Sequence, residues 1–309
     1  MELVDAHDHL QDGRFAGKQD DLVAAAVRAG VMRLVVNGTG EADWPDVADL
    51  ARRHPQVIPS FGLHPWYLGR RTPDWCGTLA RFVDTTPGSA VGEIGLDRWM
   101  LQNPDRWRAR MARTAVIPAP GVAITGDAKL SSADAGLPTV AQEIPPSMEV
   151  QEDAFVWQLR LAAARDVPAS IHCLDAWGRM FGLLRENPRP TRGFLLHSYG
   201  GPAGMVAPLA KLGARFGFPG HFLHERKARQ REVFREVPLD RLLIETDAPD
   251  QSLPDASKTH PLTDPADGGP LNHPANLAAV YRGYAGFTGE PVERLAARVR
   301  RNFTELFGV

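Results

Sequence analysis

Eight short apolar runs recur along this chain of 309 residues, and helix-length segments separate most of them. The runs lie at 3–6, 33–36, 57–62, 90–92, 169–171, 193–196, 214–217 and 242–244. Between them stand segments of helical pattern, such as 20–29, 43–53, 152–165 and 225–236. Short β-branched runs bounded by turn residues read as strands, and the longer periodic stretches read as helices. Strands that alternate with helices require a parallel sheet with right-handed crossovers. Eight such units are the number that closes a (β/α)8 barrel. The expectation is therefore an α/β chain forming a single TIM-barrel domain over 1–309. An open doubly wound sheet, binding ligands at a switch point, is the runner-up. Two further helical stretches, 274–286 and 291–307, would cover the last strand and complete the outer ring.

One segment breaks this rhythm. Residues 103–149 follow the fourth strand and carry Pro118, Pro120, Pro138, Pro145 and Pro146 among many small residues. That is long for one connection between a strand and a helix. In a barrel it would leave the face where active sites lie. It reads either as an insertion forming a lid or pocket wall, or as a surface excursion that never meets substrate. The Pro-, Asp- and Gly-rich stretch 250–273 follows the last strand and should sit over the same face.

His7 and His9 stand one residue apart at the end of the first run. Side chains at i and i+2 of a strand share a face, so the two imidazoles can aim at one point. Three more histidines, His64, His172 and His197, fall at or just beyond other strand ends, as do Glu93 and Asp247. In a parallel barrel all of these ends open on one face. Taken singly, His172 and His197 read as satisfied core histidines, His64 as a turn residue, and Asp247 as a cap before Pro249. Glu93, set between Gly92 and Gly95, reads as buried close to backbone. Together they define one site. Mixed imidazoles and carboxylates suit a divalent ion such as Zn, Mn, Ni or Mg. Seven candidates exceed one tetrahedral ion, whereas two ions sharing a carboxylate would use most of them.

The motifs now resemble a known family. Asp5-Ala6-His7-Asp8-His9-Leu10, Gly62-Leu63-His64-Pro65, Gly92-Glu93-Ile94-Gly95-Leu96-Asp97, Ser170-Ile171-His172-Cys173 and Glu245-Thr246-Asp247-Ala248-Pro249 are similar, in this order, to those of the TatD metal-dependent deoxyribonucleases. The ending Asn302-Phe303-Thr304-Glu305-Leu306-Phe307 also resembles that family's. The resemblance implies one metal held by His7, His9, Glu93 and Asp247. It implies a second held by Glu93, His172 and His197, with Glu93 bridging and His64 either behind the ligands or touching a substrate phosphate. It further implies phosphodiester hydrolysis on DNA. Ser198-Tyr199-Gly200-Gly201, Asn272-His273-Pro274 and the segment 103–149 depart from the family's pattern. None of them touches a ligand, so they bear on substrate rather than on chemistry.

Composition narrows the partners. The net charge is -2, so no global basic surface exists to hold long duplex by counterion release. Short strands, DNA ends or a small phosphodiester or ester fit better. The basic run Arg226, Lys227, Arg229, Arg231 and Arg235 is interrupted by Glu225 and Glu232 and reads as a solvated helix face. Two cysteines without a CxxC suit a reducing cytoplasm. The start lacks the pattern of a signal peptide, and no run is long enough to cross a membrane. The expected chemistry is hydrolysis by a hydroxide that two metals activate, with Glu93 and Asp247 as catalytic carboxylates and Asp247 moving the proton. An ester, lactone or amide hydrolase on the same barrel is the alternative, and a barrel that merely binds metal is the third reading.

Overall fold

The computed structural model describes residues 1–113 and 143–308. Among these residues, eight parallel strands pair in chain order. They are β1 (Leu3–Asp8), β2 (Val31–Asn37), β3 (Val57–Phe61), β4 (Ala90–Asp97), β5 (Ala169–Leu174), β6 (Phe194–Leu196), β7 (Ala214–Pro219) and β8 (Leu242–Glu245). Around them run α1 (Gln19–Arg28), α2 (Trp44–Arg53), α3 (Trp75–Thr85), α4 (Trp99–Gln102), α5 (Pro104–Arg113) and α6 (Met148–Arg165). The ring continues with α7 (Trp177–Glu186), α8 (Val206–Lys211), α9 (Ala228–Val233), α10 (Leu277–Thr288) and α11 (Val292–Phe307). Strands covered by helices outside and packed side chains inside are apolar nearly throughout. Leu34, Val35, Ile94, Ile171, Leu195, Phe216 and Ile244 are all fully or almost fully buried.

The chain order excludes the open doubly wound alternative, because the last strand returns to the first. Asp247 N donates to His7 O at 2.9 Å and His9 N donates to Ala248 O at 2.8 Å. Below these bonds the Asp5 carboxylate spans the seam. It accepts Thr246 N at 2.9 Å and Thr246 Oγ1 at 2.5 Å, and His7 N at 3.3 Å. The last two helices tie on from outside. The Tyr281 hydroxyl donates to Val4 O at 2.9 Å, and Asn302 Nδ2 donates to Leu239 O and Leu242 O, each at 2.9 Å. Asn302 in the chain's final motif is thus an anchor for β8.

Several boundaries differ from the sequence reading. β1, β4 and β5 run on to Asp8, Asp97 and Leu174, so His7, Glu93 and His172 lie inside strands. Apolar patterning stops where polar side chains begin, yet the ladder continues because those side chains find partners at the barrel mouth. The segment 225–236 is a 3-10 turn (Glu225–Lys227) followed by α9. Its basic run is only partly a solvated face. Lys227 lines the central cleft, and Arg231 donates to the carbonyls of Phe222 and Leu223. The expected insertion at 103–149 narrows at both ends, since α5 starts at Pro104 and α6 at Met148. The rest of it, 114–142, lies outside the described residues, and the expected lid with it. Among the described residues no helix is long and apolar enough to cross a membrane.

Replacing Asp5 by Ala leaves the buried Thr246 and His7 donors without their acceptor. The expected cost is about 2–3 kcal/mol of stability, read as a lowered thermal midpoint of the metal-free protein. An unchanged midpoint would contradict the seam's role.

Candidate metal centre

The barrel mouth gathers all seven residues singled out in the sequence. Glu93 lies at the centre, 3% exposed, on a stretch of β4 where bulk is excluded. A Cβ on Gly92 would come within 2.7 Å of the Ser170 Cβ, and one on Gly95 within 2.0 Å of His172 O. Glycine at both places lets β5 approach closely enough to bring His172 beside the carboxylate.

The two oxygens of Glu93 face different groups. Oε2 stands 3.4 Å from His7 Nε2 and 3.2 Å from His9 Nε2. Those nitrogens are 3.2 Å apart, and Asp247 Oδ1 lies 3.7 Å and 3.5 Å from them. Oε1 stands 3.1 Å from His172 Nδ1 and 2.8 Å from His197 Nε2, which are 3.2 Å apart. Bonds of about 2.1 Å to a tetrahedral ion give donor–donor edges of roughly 3.4 Å, close to these spacings.

Hydrogen bonds on the far side of the His9 and His172 rings say which nitrogen is available, whereas His197 Nδ1 is buried without a hydrogen-bond partner among the described residues. His9 Nδ1 faces Asn37 O at 2.8 Å. A carbonyl only accepts, so the proton sits on Nδ1 and the Nε2 lone pair points inward. His172 Nε2 faces Asp97 Oδ2 at 3.2 Å, which directs Nδ1 inward. His7 Nδ1 pairs with Ser170 Oγ at 2.8 Å. Partners of this kind orient and strengthen histidine ligands. His64 is the exception. Its Nδ1 accepts Trp66 N at 3.2 Å, so its proton is on Nε2, 3.4 Å from Glu93 Oε1. His64 therefore presents a donor to the site rather than a lone pair.

Asp97 was missed in the sequence, although it shares a strand face with Glu93 four residues earlier. Its Oδ2 also accepts Trp66 Nε1 at 2.7 Å, and its Oδ1 accepts Met100 N at 2.9 Å. Helix α6 braces this strand end, because the Gln151 side chain bonds both N and O of Asp97. Gln251 was missed too. Its Nε2 donates to Asp247 Oδ2 and to Ser198 Oγ, so the second oxygen of Asp247 is engaged rather than free.

Charge in the cluster follows from burial and pairing. For Glu93, burial opposes ionisation, but the imidazoles of His197, His64 and His172 outweigh it and hold the carboxyl well below its ordinary range. For Asp247, burial is likewise overcome by His9, with His197 and His7 adding, and its pKa falls to about 2. Burial would lower His172, yet bonds to Asp97 and Glu93 raise it to about 10. His9 is raised in the same way by Asp247 and Glu93, whereas burial and His197 bring His7 down to about 4.

The cluster forms the floor of a cleft of about 790 Å³. His9, His64, Glu93, His172, His197 and Asp247 line it, with Arg14, Trp66, Tyr67 and Lys227 above. A parallel barrel with an imidazole–carboxylate cluster at the carboxyl ends of its strands has the construction of a metal-dependent hydrolase. The family model for TatD related DNases matches residues 4–308. The chain belongs to that family of metal-dependent hydrolases acting on ester bonds. It is 28% identical to the 3'-5' ssDNA/RNA exonuclease TatD of Escherichia fergusonii over 308 residues, covering 99% of each chain. It is 25% identical to the metal-dependent hydrolase YjjV of Escherichia coli, covering 99% of this chain and 98% of that one. The crystal structure of YjjV superposes with a TM-score of 0.77 over 99% of this chain and 98% of that one, at 24% identity. A TatD family hydrolase from Entamoeba histolytica has the same fold, with a TM-score of 0.73 at 15% identity over 99% of this chain and 98% of that one.

A cation taken up beside His172 would displace a proton. His172 titrates near 10, above its ordinary 6.5, so in the metal-free protein it is charged at neutral pH and loses its proton only as pH rises through about 10. Apparent cation affinity should rise with pH across that window, and titration calorimetry at pH 7 should show proton release through buffer-dependent heats. Buffer-independent heats with an unchanging affinity would contradict this protonation.

Proposed function

We propose that the protein is a nuclease-type phosphodiesterase acting at the ends of single-stranded DNA or on short strands, with two divalent cations at the cluster. The observation that carries this reading is the division of Glu93, whose two oxygens each face their own pair of inward-pointing imidazole nitrogens. His7 Nε2, His9 Nε2, Glu93 Oε2 and Asp247 Oδ1 would hold one cation. Glu93 Oε1, His172 Nδ1 and His197 Nε2 would hold the other, and Zn, Mn, Ni and Mg all suit such donors. When bound, the cations supply Lewis acidity and lower the pKa of water towards neutrality. His64 Nε2–H donates to a substrate phosphate oxygen. Asp247 is ionised over the whole working range, and Gln251 steers its outer oxygen, so it can take a proton from the attacking water and pass it to the leaving oxygen.

The relatives named as exonucleases on single-stranded DNA and RNA support this substrate class. So does the rim, where carboxylates hold three of the cationic side chains, Arg70 by Glu143 among them. Arg14 is clamped between Asp12 and Asp250, and Arg53 between Asp20 and Asp49. A cleft whose positive charge is partly neutralised favours a strand end over long duplex. The unpaired Cys76 and Cys173 suit a reducing cytoplasm.

Glu93→Gln and Asp247→Asn should each lower turnover of bis-p-nitrophenyl phosphate and of single-stranded DNA by about a hundredfold or more, while circular dichroism stays that of the parent. Full turnover in either variant would overturn the assignment. Faster hydrolysis of simple carboxylic esters than of phosphodiesters by the parent would replace it with an ester hydrolase.

A further inference from the structure

The cleft wall beside His64 is aromatic and cationic. Trp66 and Tyr67 lie within the 3-10 turn Pro65–Arg70, are half-buried, and line the cleft. Arg110, from α5, also lines it and places its guanidinium 5.9 Å from the Trp66 ring centroid and 5.1 Å from that of Trp99. The Trp66 and Trp99 rings are 6.5 Å apart and 27° from parallel. Flat π-surfaces interleaved with guanidinium planes take the faces of unpaired bases, whatever their sequence. Within a duplex those faces are stacked on neighbouring pairs, and only the terminal pair leaves one exposed.

The wall is also fixed relative to the cluster. Trp66 donates through Nε1 to Asp97 Oδ2 at 2.7 Å, the oxygen that orients His172. Its backbone N–H donates to His64 Nδ1 at 3.2 Å and sets the tautomer of the ring facing Glu93. One residue thus lines the cleft with its ring and braces two site histidines with its N–H groups. Resting on the nuclease reading above, we propose that Trp66, Tyr67 and Arg110 form a stacking subsite for an unpaired nucleobase beside the cleaved linkage. The Trp66–Asp97 hydrogen bond keeps that subsite in register with His172.

The test uses the full chain with Mn²⁺ and short single-stranded DNA. In two further substrates, one or the other nucleotide flanking the terminal linkage is replaced by an abasic tetrahydrofuran. The intact strand should be cleaved with a kcat/KM about tenfold or more above that of one of the abasic strands. Arg110→Ala and Trp66→Leu should bring that ratio close to one. Trp66→Phe keeps a ring face but lacks the indole N–H. It should retain the preference while calorimetric Mn²⁺ titration shows weaker uptake of one equivalent. Equal rates on intact and abasic strands, or a preference that survives in both Arg110→Ala and Trp66→Leu, overturn the subsite alone. Unaltered Mn²⁺ uptake in Trp66→Phe overturns the link to His172. Hydrolysis of bis-p-nitrophenyl phosphate without cleavage of any strand overturns the nucleic-acid reading, and the subsite with it.

Discussion

The structure depends on how one buried anion is compensated. Glu93 sits almost out of contact with solvent, and a carboxylate in such a place is costly unless it is paired. Its partners are imidazoles delivered by β1, the β3 loop, β5 and the end of β6. In the metal-free protein the raised His9 and His172 supply positive charge, whereas burial keeps His7 and His64 neutral at pH 7. On the two-cation reading proposed above, those two nitrogens would give up their protons and offer lone pairs, an exchange of protons for metal around one fixed carboxylate.

That exchange demands rings that do not rotate, and the barrel supplies the restraint. Asn37 O, Ser170 Oγ and Asp97 hold the outer nitrogens of His9, His7 and His172. Gln151 of α6 and Trp66 hold Asp97 in turn. The closing seam serves the same end. Asp5 stands two residues before His7 and Thr246 one before Asp247, so closing the sheet and aligning the first group of candidate ligands are one event. Parallel strands make this possible because their carboxyl ends share a face, and residues 240 positions apart in sequence meet there.

Much of this is legible in the sequence, for physical reasons. The eight strands announce themselves because a barrel buries both strand faces, leaving runs such as Leu34-Val35-Val36 and Leu242-Leu243-Ile244. His7, His9, Glu93, His172, His197 and Asp247 stand out as polar residues where those runs end. Strand ends were less legible, because Glu93 and His172 continue ladders that apolar patterning had closed. The outer partners were the least legible. Asn37 acts through its backbone carbonyl, which carries no side-chain signature. Asp97 and Trp66 meet only through the fold, 31 residues apart. His64 belongs to the cluster, yet its role turns on a bond from Trp66 N that fixes its tautomer.

The central claim is that Glu93 divides its oxygens between two cation positions. Anomalous diffraction at the Mn edge, from crystals of the parent protein and of Glu93→Gln grown with Mn²⁺, tests it most directly. The account predicts two peaks in the parent, one beside each Glu93 oxygen, and the weakening of both in the variant. A single peak, or two peaks that persist unchanged when Glu93 is replaced, would contradict it.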